Sequence, residues 1–267
     1  MTEQQKSLQW LSNILDILRR ECSWDSVQTT HSLRYLTIEE VYELSDAIMA
    51  EDSAEQCKEL GDLFMHLVFY AKIAEEEGTF SLVDVLDGIC KKLISRHPHI
   101  SLPDRDGILQ PAVQAVAPDW EKVKMKEGRR SVFDGVPKSL PPLVKMIRMH
   151  EKAEGMGFKF PDADAAKAKA DEEYREFVDA LNLLHSNPSD ENRQHALEEL
   201  GDLLSSLTKW ARYEGLNPDD ALMCANDKFF RRFSFIEKSA LDRGLQVSDL
   251  SLDEMQMLWN EAKAHEL

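Results

Sequence analysis

A chain of 267 residues has room for one large domain or two smaller ones, and 43% hydrophobic residues supply a core for either. The formal net charge of -17 excludes general binding to DNA or RNA, which needs a basic face, and it obliges an anionic ligand to find a local basic patch or a bound cation. Cys22, Cys57, Cys90 and Cys224 form no CxxC pair, which argues against zinc; with a polar N-terminus and no apolar run able to span a bilayer, they point to a cytoplasmic protein with free thiols and no membrane partner.

Helical periodicity dominates, and strand-like alternation is nearly absent, so the expected fold is all-α. Leu8, Leu11, Leu15 and Leu18 make an amphipathic first helix, followed by a loop at Cys22-Ser23-Trp24-Asp25. Thr37 is expected to N-cap the next helix, with Glu40 in the capping-box position and Leu44, Ala47 and Ile48 on its apolar side. A helix from about Ala54 to Glu77 ends at Gly78, with Leu60, Leu63, Phe64, Leu67, Val68 and Ala71 as its stripe. Ser81 opens another, which proline stops near Arg96-His97-Pro98.

Residues 99–117 read as loop, and a short helix then carries Trp120 and Lys124. The expected division is a helical domain over residues 1–127, a linker over 128–142 and a second helical domain over 143–267. In the second domain a helix covers about Leu143–Glu154, and two more flank a polar loop at Ser186–Asp190. Another starts after Pro218, and Ser251 caps the last.

One pattern occurs twice. Glu39-Glu40-Val41-Tyr42-Glu43 is followed by Glu59-Leu60-Gly61-Asp62, and Glu172-Glu173-Tyr174-Arg175-Glu176 by Glu199-Leu200-Gly201-Asp202. Residues three or four apart share a helical face. Glu40 with Glu43, and Glu59 with Asp62, therefore project together, as do Glu173 with Glu176 and Glu199 with Asp202. On two antiparallel helices each quartet would meet across the gap, where its mutual repulsion calls for a hard divalent cation. The offset is 133 residues for the first pair of acids and 140 for the second, so the longer interhelical loop belongs to the second copy. Lys92 and Arg96 match Lys228 and Arg232, and Trp120 and Lys124 match Trp259 and Lys263, as expected of a tandem duplication.

A single acidic run on a helix is ordinarily a solvated face. Two matching runs set among apolar residues favour metal binding, and Gly61 and Gly201 inside helices imply close approach of a backbone or ligand. Lys228, Arg231 and Arg232 share one helical face and would suit phosphates beside a metal. No P-loop, dinucleotide fingerprint or Ser-His-Asp arrangement is present. No histidine has a glutamate three positions before it, which weighs against a di-iron bundle. A non-catalytic acidic scaffold or metal buffer stays open as the alternative.

The acids, both Glu-Leu-Gly-Asp tetrapeptides, Cys22–Asp25, Arg96–His99, Met156-Gly157-Phe158 and Lys228–Phe233 together resemble the MazG-type nucleoside triphosphate pyrophosphohydrolases in their tandem two-domain form. That resemblance implies two related helical bundles, a homodimer or larger, and Mg²⁺-dependent cleavage of a nucleoside triphosphate such as ATP to monophosphate and pyrophosphate. It further implies that Glu173, Glu176, Glu199 and Asp202 are Mg²⁺ ligands, with Glu40, Glu43, Glu59 and Asp62 matching them in the first half. Lys169, Glu172, Glu173, His195, Glu198, Asp202, Lys228, Arg231, Arg232 and Trp259 become nucleotide contacts, and Glu172 is one hypothesis for the acid that orients the attacking water. Because the first half has Leu36 where the second has Lys169, the second half is expected to be the main active site. The first is left as weakly active, regulatory or a dimerisation unit.

Overall fold

The computed structural model describes residues 1–114 and 130–265. The expected helix around Trp120 and Lys124, and the start of the expected linker at residues 128 and 129, lie outside them. The chain divides into two compact units, Met1–Pro118 and Asp119–Leu267.

In the first unit α1 (Glu3–Glu21) is capped by Thr2 in a reciprocal box with Gln5. A short turn leads to α2 (Thr30–Met49), which packs along α3 (Ser53–Glu76) as a helical hairpin. The tight connection ends α2 at Ala50, and Asp52 accepts hydrogen bonds from the Ala54 and Glu55 amides to start α3. Gly78 then turns the chain at φ 69°, a conformation that favours glycine. Next comes α4 (Leu82–Arg96), capped by Ser81. Leu15, Leu33, Val68, Phe69 and Ile73 form the core where α1 crosses the hairpin. Arg19 ties α1 to the end of α3 by a 2.5 Å pair with Glu76.

Two expectations here need correction. Thr37 is not an N-cap, because α2 begins seven residues earlier at Thr30, where Thr29 and Ser32 cap each other. Thr37 lies inside the helix, and its hydroxyl meets Leu33 O, His66 Nδ1 and Tyr70 OH at 3.1, 3.2 and 2.7 Å. A threonine can cap, but here a three-way bond inside the hairpin satisfies it. The stretch after α4 also holds a short antiparallel pair, β1 (Leu102–Pro103) with β2 (Leu109–Gln110), closed by a turn in which the Asp104 carboxylate accepts from the Asp106 and Ile108 amides.

The second unit repeats the plan. Here α5 (Pro142–Gly155) begins on proline, where no amide is needed. Gly157 at φ 93° carries the chain towards α6 (Ala163–Ser186), capped by Asp162. The helix α7 (Asp190–Tyr213), capped by Ser189, packs along α6 as the second hairpin. Asn217 starts α8 (Pro218–Asp242), and Ser251 in a box with Glu254 starts α9 (Leu252–Ala264). Ile236, Ala240, Leu250 and Leu258 bury the contact between α8 and α9.

Candidate active site

Each hairpin gathers acids. On α6 and α7, Glu173, Glu199 and Asp202 each offer a carboxylate oxygen, and these oxygens lie within 4.8 Å of one another. Glu173 is 8% exposed, and Lys169, one turn before it, places its Nζ 2.8 Å from the Glu173 carboxylate and 2.8 Å from that of Glu172. Glu176 stands outside this close trio. Desolvation by its neighbours, and then the charge of Glu173, raise its carboxyl above the usual range, so it still feels the cluster. His195 faces Glu199 at 3.5 Å, and Glu198 turns to Gln194 at 2.9 Å.

On α2 and α3 the trio is Glu40, Glu43 and Glu59, again within 4.8 Å. Asp62 lies outside it, though its charge, after burial, helps to raise the Glu40 carboxyl. Glu59 is 1% exposed. Lys58 bonds its Oε1 at 2.9 Å and holds the carboxyl below the usual range, while Oε2 is sealed from water with no hydrogen-bond partner. A buried carboxylate oxygen without a donor is costly. An all-oxygen donor set with such an orphan fits a hard cation.

The two hairpins differ in what lies beneath the acids. A cavity of about 320 Å³ in the second unit is lined by Lys169, Glu173 and Asp202, and by Ser205, Ser206, Lys209, His150, Phe158 and Phe160. By the offsets of the acids, Lys169, Ser205, Ser206 and Lys209 occupy the places of Leu36, Met65, His66 and Phe69. In the first unit His66 and Phe69 are buried, and Leu36 and Met65 pack on the core. Large or apolar side chains stand in one copy where short or cationic ones line the cavity of the other. Lys209 and His150 escape a reading centred on acids, but matching the copies position by position would have exposed Lys209 against Phe69.

Among the described residues no hydrogen bond or ion pair joins Lys228 or Arg231 to the second acid trio. Both are exposed on α8. Arg232 lies over the Trp259 ring at 5.6 Å, and Phe229 meets the same ring at 5.3 Å. The expected close approach at the helical glycines is not found within the chain. A Cβ on Gly61 or Gly201 would meet no atom within 4 Å, since both face outward on exposed turns.

An all-α scaffold whose paired helices converge carboxylates in each of two units defines the class. The model of the MazG nucleotide pyrophosphohydrolase domain matches residues 28–101, the span that carries the first acid pattern. The nucleoside triphosphate pyrophosphohydrolase of Escherichia coli (strain K12) is 34% identical over 250 residues, 92% of each chain. The nucleoside triphosphate pyrophosphohydrolase/pyrophosphatase MazG of Thermotoga maritima is 33% identical over 258 residues, 95% of this chain and 94% of that one. The uncharacterized protein YabN of Bacillus subtilis (strain 168) is 40% identical over 249 residues; the chain spans 49% of its length. The chain belongs to the MazG family of nucleoside triphosphate pyrophosphohydrolases.

Proposed function

We propose that the protein hydrolyses nucleoside triphosphates, ribo or deoxy, between the α and β phosphates, releasing monophosphate and pyrophosphate, with Mg²⁺ as its cofactor and the second unit as its principal active site. The observation that carries this is the convergence of Glu173, Glu199 and Asp202 beside Lys169 at the rim of a cavity whose lining positions are taken in the first unit by Leu36, Met65, His66 and Phe69. The family membership supports the reaction class, and the carboxylate donor set supports a hard cation.

Glu173, Glu199 and Asp202 would hold the ion, with Glu176 completing the set. A bound divalent cation supplies Lewis acidity and lowers the pKa of water. Lys169 neutralises the buried Glu173 and offers its ammonium near the phosphates. Glu172, about half exposed at the rim, accepts from Lys169 and is free on its other oxygen to align a water. Lys228 and Arg231 supply exposed cations for the departing pyrophosphate, while Arg232 and Trp259, already stacked, close the outer end of the nucleotide. His195 and Glu198 flank it from α7. The first unit, with Leu36 in place of Lys169, serves as a lesser site or as a dimerisation unit of a homodimer. No helix among the described residues is long and apolar enough to cross a membrane.

The test is to incubate the protein with mixed NTPs, dNTPs and Mg²⁺ and to separate the products. Monophosphate and pyrophosphate bear the reading out. Diphosphate and orthophosphate would place the cut elsewhere, and no product would leave a metal-binding scaffold.

A further inference from the structure

We propose that the cavity between α5, α6 and α7 receives the nucleobase of the triphosphate, and that Ser205, Ser206 and Lys209 read its edge. This rests on the functional reading above and goes beyond it by assigning the base a place and readers outside the acid trio and the α8 basic cluster.

Size, lining and position point the same way. A volume of about 320 Å³ is at the small end for ligand pockets, enough for a base and part of a sugar but not for a whole triphosphate. Phe133, Phe158 and Phe160 supply aromatic walls for a planar ring. The Ser205 hydroxyl and the Lys209 ammonium supply polar groups among them, and Ser206, whose hydroxyl donates to Leu203 O at 3.0 Å, offers only its acceptor lone pairs. Glu173 and Asp202 line the same cavity, so a base lodged there leaves its phosphates at the acid trio.

A phosphate is the poorer occupant. The Lys169 ammonium is shared between Glu172 and Glu173, and that of Lys209 lies over the Phe160 and Phe158 rings at 4.4 and 5.2 Å. Within the cavity a dianion among three phenylalanines would lose its hydration, whereas at the rim it keeps water and the Lys169 ammonium.

His150 positions one of the readers. Its Nε2 meets Ser205 Oγ at 3.1 Å, while its Nδ1 is sealed from water without a partner. Burial first, and then Lys209 and Arg212, hold the imidazole neutral against the opposing charge of Glu154. A neutral ring keeps one donor and one acceptor nitrogen, so its tautomer sets whether the Ser205 hydroxyl donates or accepts.

The divergence of the two copies gives the means of testing this. In S205M/K209F the second unit takes the side chains that the first unit carries at those places. Steady-state kinetics with an NTP are measured beside the midpoint of Mg²⁺-induced thermal stabilisation and helical circular dichroism. A rise in KM of about tenfold or more, with kcat and the Mg²⁺ midpoint held within about threefold, is expected for lost ground-state binding of the base. An unchanged KM overturns the inference. So does a Mg²⁺ midpoint that shifts as far as KM, because the damage then lies at the acids. If the double variant loses its helical signal, S205V, which replaces one reader's hydroxyl with methyl groups, is judged by the same criteria. A wild-type protein that cleaves no NTP overturns the functional reading itself, whereas cleavage with an unaffected KM in the variant removes the base pocket alone.

Discussion

Lys169 and Glu173 stand one helical turn apart on α6, with Nζ 2.8 Å from the carboxylate of a residue only 8% exposed. At the matched place in the first unit Leu36 offers no charge, and Lys58 on α3 takes the acid partner instead, bonding Glu59. One copy thus sets its lysine before the EExxE helix acids, and the other sets it beside the ExxD acids. Replacing Lys169 with leucine, as in the first copy, is expected to lower kcat/KM about 10- to 100-fold, the scale of one charge-assisted hydrogen bond. Steady-state kinetics at saturating Mg²⁺ check it.

Glu172 shares that lysine but is exposed enough to meet water. Neutralising it in E172Q is expected to cut kcat about 100-fold and leave KM nearly unchanged, as for removal of a group that acts on the attacking water. Full turnover in E172Q would exclude it from that role.

Metal should stabilise the fold in a pH-dependent way. Burial and neighbouring acids raise the carboxyls of Glu40, Glu43 and Glu176. A carboxyl with a raised folded pKa contributes stability below its unfolded value, and that contribution is lost as pH climbs through the folded value. The metal-free protein therefore carries unrelieved repulsion at neutral pH. Mg²⁺ at about 100 times its Kd adds about 2.7 kcal/mol per site, or roughly 5–10 °C in Tm. Differential scanning fluorimetry with Mg²⁺ and with EDTA should show the gain at pH 7.5 and a smaller one near pH 5.

Acid should weaken the fold through two histidines. Burial lowers the pKa of both His66 and His150 from the ordinary histidine value of 6.5. A depressed folded pKa contributes stability above the unfolded value, and it is lost as pH falls through the folded one. Stability is expected to decline below about pH 6.5, and H66N/H150N to flatten that decline. Urea denaturation at a series of pH values measures the slope.

Much of this was legible in the sequence. The spacing of Leu8, Leu11, Leu15 and Leu18, the caps at Ser81 and Ser251, and the turn at Gly78 gave the helices and their ends, because they are local signals. The helical spacing of the acids placed three of each four together. What stayed hidden depends on the partner helix. Thr37 looks like a cap until His66 and Tyr70 arrive from α3 to occupy its hydroxyl. Lys209 looks like surface charge until Phe158 and Phe160 come beneath it. Which member of each quartet stands apart, Asp62 in one and Glu176 in the other, is set by how the hairpin packs rather than by spacing.

If the acids of the second hairpin hold the metal that promotes cleavage, their loss stops turnover and loss of those of the first does not. The most direct measurement is product analysis of wild type, E173A and E40A, each folded and supplied with Mg²⁺ and NTP. We expect monophosphate and pyrophosphate from wild type and E40A, and a loss of at least about 1000-fold in E173A. Turnover that survives in E173A and vanishes in E40A would contradict the account.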